Sequence, residues 1–291
     1  VPGEPWDLRT KTVVVTGASS GIGRETAVAL ACGGAKVIIT ARDLERGQAA
    51  LDEVRTRSDG GQVQLRMLDL ASFASIHEFA AGLLADEPRL HVLVNNAGLV
   101  LSERLTTDDG LERTFGTNHV GPFLLTELLR PRIEQCAPGR IINVASIAHH
   151  AARRGIDFED LQTEQRYSSL KAYSRSKLAN ILHARELARR LDGTGVTANA
   201  LHPGAVASGF GRNEDTVGAE AMLMVLAQPF LISPTAGAAT SVYLAMAPDV
   251  GDVSGQYYVR SKPARPSKAA RDDEAAARLW EATEALVATS A

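Results

Sequence analysis

The chain has 291 residues, 45% of them hydrophobic and 22% charged, with 25 Gly and 12 Pro. That make-up supplies ample apolar material for a buried core and excludes collagen-like and disordered chains. Thirty-one Lys and Arg against 34 Asp and Glu leave a formal charge of −3, too balanced for a nucleic-acid binder working by bulk charge.

The only cysteines, Cys32 and Cys136, supply neither a disulfide framework nor a Cys-rich zinc site, and they fit a reducing compartment. Val1–Arg9 is mixed and acidic, without the apolar centre of a signal peptide. No run of about 18 apolar residues occurs. The sequence therefore reads as cytoplasmic, with no membrane anchor.

Strand and helix signals alternate along the chain. Thr12–Thr16 (TVVVT) is a β-branched run closed by Gly17, and Gly21–Cys32 follows with helical spacing up to Gly33-Gly34. Lys36–Thr40 reads as a second strand and Leu44–Arg57 as a second helix. Val63–Leu68 and His91–Asn95 are strands flanking a Ser72–Glu87 helix. A helical region at Leu111–Gln135 precedes the strand Arg140–Val144, and a helix at Tyr173–Leu191 precedes Val196–Leu201. Gln256–Val259 reads as a seventh strand, followed by a basic, Pro-broken solvated loop at Lys262–Arg271 and a last helix. Apolar strands alternating with amphipathic helices predict an α/β fold: one doubly wound Rossmann-type domain over residues 1–291, with a parallel seven-stranded sheet covered on both faces.

Thr16–Gly23 reads TGASSGIG, directly between the first strand and helix. Glycines there let the chain turn sharply and approach a pyrophosphate, which the helix N-terminus stabilises. The same residues also fit G-x-S-x-G, the nucleophile elbow of serine hydrolases. That elbow needs an oxyanion donor from an earlier strand, and no strand precedes residue 12. Beyond the second strand, Arg42 is the first long polar side chain, and a guanidinium there favours the 2′-phosphate of NADP. Asp43 reads as the N-cap of the second helix.

These motifs, with Asp69-Leu70 after the third strand, Asn95–Gly98 (NNAG) after the fourth, Ser146 after the fifth, Tyr173-x-x-x-Lys177 and Pro203-Gly204, resemble the short-chain dehydrogenase/reductase family. The similarity is closer to its retinol-dehydrogenase-like members, through LDLAS (68–72), FGTNHVGPFLLT (115–126), AYSRSKLAN (172–180) and NALHPG (199–204).

That resemblance implies roles. Tyr173 is the general acid or base, Lys177 favours its phenolate, Ser146 binds the substrate oxygen, and Asn118 holds a water in a proton relay. Gly17, Ser19, Ser20, Gly21, Ile22 and Gly23 surround the pyrophosphate, with Arg42 on the 2′-phosphate. Asp69 and Leu70 flank the adenine, Asn96, Ala97 and Gly98 the adjoining ribose, and Tyr173 and Lys177 also face the cofactor. Ser208, after Pro203 and Gly204, stands where the family usually has a hydroxyl residue on the carboxamide.

A second Tyr-x-x-x-Lys, Tyr167 to Lys171, has the same spacing; the helical run after Tyr173 and its AYSRSKLAN setting favour the later pair. The segment His149–Leu170 lengthens the usual path from Ser146 to Tyr173 and is expected to border the substrate mouth. His119, His149, His150, His183 and His202 lack metal-ligand spacing, so no metal site is expected. Residues 205–233 read as a lid over a hydrophobic carbonyl or alcohol, while Ala221–Ile232 equally fits a subunit interface in a homo-oligomer. The leading expectation is an NADP-dependent oxidoreductase interconverting such a carbonyl and its alcohol. The alternative is a non-catalytic NADP-binding sensor, which would not need Ser146, Tyr173 and Lys177 together.

Overall fold

Alternation inside the short strands decides the architecture. The computed structural model describes residues 6–204 and 232–288; Ser208 and the expected lid, apart from its last two residues, lie outside them. Strand β1 (Thr12–Val15) sends Val14 to one face of the sheet and Val13 and Val15 to the other, all three fully buried. The strands β2 (Lys36–Ala41), β4 (Val92–Asn95) and β5 (Gly139–Val144) divide their residues the same way, as period-two geometry requires.

One face packs on helices α1 (Gly21–Cys32) and α2 (Leu44–Arg57). The other packs on α3 (Phe73–Asp86), α5 (Gly121–Gln135), α6 (Ser169–Arg190) and the last helix, Asp273–Ala288. Both faces are thus dry, which is why the strands lack polar alternation.

With β3 (Val63–Met67), β6 (Val196–His202), β7 (Tyr257–Val259) and β8 (Lys262–Pro263), the strand order is β3-β2-β1-β4-β5-β6-β7-β8. The order reverses between β1 and β4, and in such sheets the ligand crevice opens at the carboxyl ends of the strands flanking that switch.

The sheet has eight strands where seven are predicted. Lys262–Pro263, expected in a solvated loop, turns back and pairs antiparallel with β7. Arg260 and Ser261 take φ of 52° and 59°, the left-handed geometry of a two-residue hairpin turn. Neither is Gly or Asn, so the usual sequence signal for that turn is missing.

The expected helix Leu111–Gln135 is also broken. Buried Glu112 accepts the backbone N–H groups of Thr114 and Phe115, both at 2.7 Å, and starts a single turn, α4 (Arg113–Phe115). A π-helical turn follows over Gly116–Val120 before α5 begins. A Cβ on Gly121 would strike the carbonyl of Leu70, so only glycine lets this junction lie against the segment that follows β3. Asp43 caps α2 as expected, accepting from Arg46 N at 2.8 Å.

Candidate active site

The glycine turn after β1 is held from two sides. Ala18 N donates to Thr40 O at 3.2 Å and Gly17 N to Thr40 Oγ1 at 3.4 Å, which ties the turn to the end of β2. On the β4 side, Asn96 Nδ2 donates to Thr16 O at 2.8 Å, and Asn96 N and Ala97 N donate to Thr16 Oγ1 at 3.0 and 3.1 Å.

Gly17 sits at φ +63°, and a Cβ there would lie 2.8 Å from Ala97 Cα. A Cβ on Gly23 would strike Asn96 Nδ2. Ser20, the N-cap residue of α1, makes no side-chain capping bond, so the helix N-terminus is left with donor groups facing outward. Glycines packed to contact beneath a bare helix N-terminus form a cradle for a phosphate-bearing group. Arg42 is exposed one residue beyond β2, two positions after the threonine that anchors the turn.

The second cluster gathers at the carboxyl end of β5. Ser146 Oγ accepts from Ala148 N at 3.2 Å, so its own O–H is free to donate, and it bonds the phenol of Tyr173. Tyr173 is half-buried on α6, and burial pushes its pKa up to about 12 against the opposing pull of the Ser146 bond. Lys177, one turn further and 3% exposed, donates from Nζ to Val144 O at 3.1 Å, 5.6 Å from the centre of the Tyr173 ring. Burial lowers its pKa to about 8, so the ammonium still predominates at neutral pH. The phenol shift runs opposite to the lowering expected from Lys177, because desolvation by burial is its largest cause.

Asn118 lies in the π-turn and is fully buried, not solvent-facing as a regular helix would leave it. Its Oδ1 accepts from Leu99 N at 2.7 Å, while Nδ2 donates to Leu99 O at 2.8 Å and to Ser176 Oγ at 3.0 Å. Single π-turns inside helices commonly mark such displaced polar groups. Gly98 fits between Lys177 and Asn118: a Cβ there would lie 3.1 Å from Nζ and 3.3 Å from Oδ1.

Asp69 lies two residues beyond β3, accepting from Ala71 N at 2.9 Å, and Leu70 beside it is buried. Pro203 and Gly204 follow β6 and are half-buried. The structure thus brings Gly98, Asn118, Ser146, Tyr173 and Lys177 into one cluster and the Gly17–Gly23 turn against Asn96 and Ala97 in another. Arg42 stands at the rim.

The model of the short chain dehydrogenase family matches residues 11–158. Retinol dehydrogenase 12 of Mus musculus is 47% identical over 270 residues, covering 93% of this chain and 84% of that protein. The chain belongs to the short-chain dehydrogenase family. It is an oxidoreductase of that family, similar to retinol dehydrogenases, and its cofactor is a nicotinamide dinucleotide.

Among solved structures, an uncharacterized protein from Mycobacterium paratuberculosis superposes with a TM-score of 0.77 at 36% identity, covering 98% of this chain and 96% of that one. A protein named as an NAD(P)-dependent gluconate 5-dehydrogenase from Beutenbergia cavernae, with bound NADP, gives 0.68 at 28%, covering 88% and 97%.

Three residues of this short-chain dehydrogenase were not singled out from sequence: Thr16, Leu99 and Ser176. Thr16 stood inside the glycine motif, and its hydroxyl was the available signal. Leu99 acts through its backbone, which no side-chain pattern reports. Among the described residues, no helix is long and apolar enough to cross a membrane, and no group of three His, Cys, Asp or Glu is placed to hold a metal.

Proposed function

We propose that this dehydrogenase interconverts a bulky hydrophobic carbonyl compound and its alcohol with NADP(H), as one dinucleotide-binding catalytic domain. The observation that carries the reading is the Ser146–Tyr173 hydrogen bond with the buried Lys177 beside it. The nicotinamide dinucleotide, when bound, supplies or accepts the hydride.

The protein's part is proton transfer and charge stabilisation. With its pKa raised to about 12, Tyr173 holds its proton at neutral pH, as an acid must before donating to a carbonyl oxygen. The Lys177 cation stabilises the phenolate left behind, and the Ser146 hydroxyl donates to the oxygen that gains charge. Asn118 braces Leu99 and Ser176 and would hold a water of the relay that returns the proton.

The turn Gly17, Ser19, Ser20, Gly21, Ile22 and Gly23 would carry the pyrophosphate and Arg42 the 2′-phosphate. Asp69 and Leu70 would flank the adenine, Asn96, Ala97 and Gly98 its ribose, and Pro203 and Gly204 the nicotinamide side. The NADP named with the Beutenbergia structure supports that choice of dinucleotide.

Ile147, next to Ser146, and Leu170, one turn before Tyr173, are 55% and 57% exposed and give the mouth an apolar rim. Such a rim suits a substrate that buries apolar area at about 25 cal/mol per Å². The name of the mouse relative supports a retinoid as one such substrate. Retinaldehyde, a long-chain aldehyde and a small polar ketone, each offered with NADPH, test the reading. Turnover of the apolar compounds with higher kcat/KM is expected, and turnover of none of them would refute it.

A further inference from the structure

The peptide unit joining Ser146 to Ile147 is gripped at both ends by imidazoles. Its carbonyl accepts from His149 Nδ1 at 2.6 Å, and its N–H donates to His202 Nδ1 at 3.2 Å. We propose that His149 and His202 are positioning residues that fix this peptide and thereby aim the Ser146 hydroxyl, a role that rests on the function argued above.

The partners dictate the tautomers. A carbonyl oxygen only accepts, so His149 carries its proton on Nδ1; Ser267 N–H donates to the bare Nε2 at 3.2 Å. His202 is the reverse. Its Nδ1 accepts from Ile147 N and also from Gly204 N at 3.4 Å, so its proton sits on Nε2. Protonating His202 would set a donor against the Ile147 N–H and break that side of the grip, whereas a second proton on His149 would oppose only the Ser267 N–H.

The surroundings hold both rings neutral. His149 is fully buried and His202 is 8% exposed, and burial depresses both pKa values, that of His149 to about 4. The His149 ring lies 4.1 Å from that of His150, tilted by 40°, and 5.2 Å from that of Tyr257. The titratable and charged groups facing the pair, His150 and Arg260, oppose its protonation. The two imidazoles reach Ser146 from different elements, His149 from the short turn Ile147–Ala151 and His202 from the end of β6. The Ser146 bond to Tyr173 is directional, and an ångström of misplacement costs a catalytic group on the order of 10²-fold.

The test uses His202→Leu, which removes the acceptor, and His202→Asn, whose Oδ1 can take the place of Nδ1. With the best aldehyde and NADPH, His202→Leu should lower kcat at least about tenfold, with KM and cofactor Kd within about threefold. His202→Asn should recover most of that loss. Added to Ser146→Ala, His202→Leu should cost less than about twofold more, because its effect passes through Ser146. A full tenfold further loss in that background, or an Asn variant as slow as Leu, would overturn the proposal.

Nitrogen-15 NMR of the unmodified protein decides the geometry independently of turnover. His149 should be protonated on Nδ1 and His202 on Nε2 at about pH 7 to 8, and the opposite tautomer at either position, or a charged His202 ring, refutes the grip. If the protein reduces no carbonyl while these tautomers hold, the function proposed above fails and the grip stands.

Discussion

The phenol of Tyr167 donates to the carbonyl of Leu101 at 3.0 Å, on a chain segment that precedes α6. Tyr173, with the same spacing to a lysine, sits inside that helix and bonds Ser146. Tyr173→Phe should therefore abolish carbonyl reduction, a loss on the order of 10²–10⁴ in kcat, while cofactor binding persists. Tyr167→Phe should leave kcat within a few-fold. Steady-state rates and fluorescence titration of NADPH check both, and a dead Tyr167→Phe enzyme would reassign the acid.

Arg42 predicts the choice of dinucleotide. It is exposed at the end of β2, next to the residues that anchor the glycine turn. A guanidinium on a 2′-phosphate should give NADPH at least about tenfold tighter binding than NADH, about 1.4 kcal/mol. Arg42→Ala should erase most of that gap by weakening NADPH alone. Equal dissociation constants in the unmodified protein would contradict it.

Gly98 has no room to grow. Its missing Cβ would press on Lys177 Nζ at 3.1 Å and Asn118 Oδ1 at 3.3 Å, both on buried side chains. Gly98→Ala should cut kcat at least about tenfold by displacing the two, since misaligned catalytic groups lose rate steeply. The thermal midpoint should fall by only a few degrees, as overpacking costs about 1–3 kcal/mol. A variant with normal kcat would show that the two side chains yield without consequence.

Buried histidines make the fold acid-sensitive. Burial lowers His91 and His149 to about 4 and His119 and His183 to about 3. Their folded values lie below the unfolded value of about 6.5, so between these limits the unfolded chain binds more protons. Stability is then fully held above about pH 6.5 and declines as pH falls through the window towards 4 and 3. At pH 5 each such histidine costs about 2 kcal/mol. Urea unfolding at pH 7.5 and pH 5.0 should show a clear fall in midpoint, and unchanged midpoints would refute neutral burial.

Much of the fold is legible in the sequence alone. The α1 and α2 helices run between the residues their spacing and caps predict, because Gly33-Gly34 and Asp43 are local signals acting within one turn. The family resemblance singles out Ser146, Tyr173 and Lys177 in the sequence, and the structure places them together. What escaped depends on contacts distant in sequence. The π-turn at Gly116–Val120 exists where Gly121 meets the Leu70 carbonyl, and no local periodicity encodes that meeting. The hairpin at Arg260-Ser261 uses left-handed residues that sequence rules reserve for Gly and Asn. The roles of His149 and His202 stay hidden because their partners are backbone groups, invisible to side-chain patterns.

The two-residue strand β8 bears on how this protein behaves when crowded. Without it, β7 would present an unpaired row of backbone groups along the sheet margin, a template for another chain to extend. Lys262 and Pro263 occupy that row instead, one bringing a charge and the other lacking an N–H to offer an incoming strand. The fold therefore finishes its own margin with residues that refuse continuation, and strand-by-strand fibril growth from the β7 side is closed off.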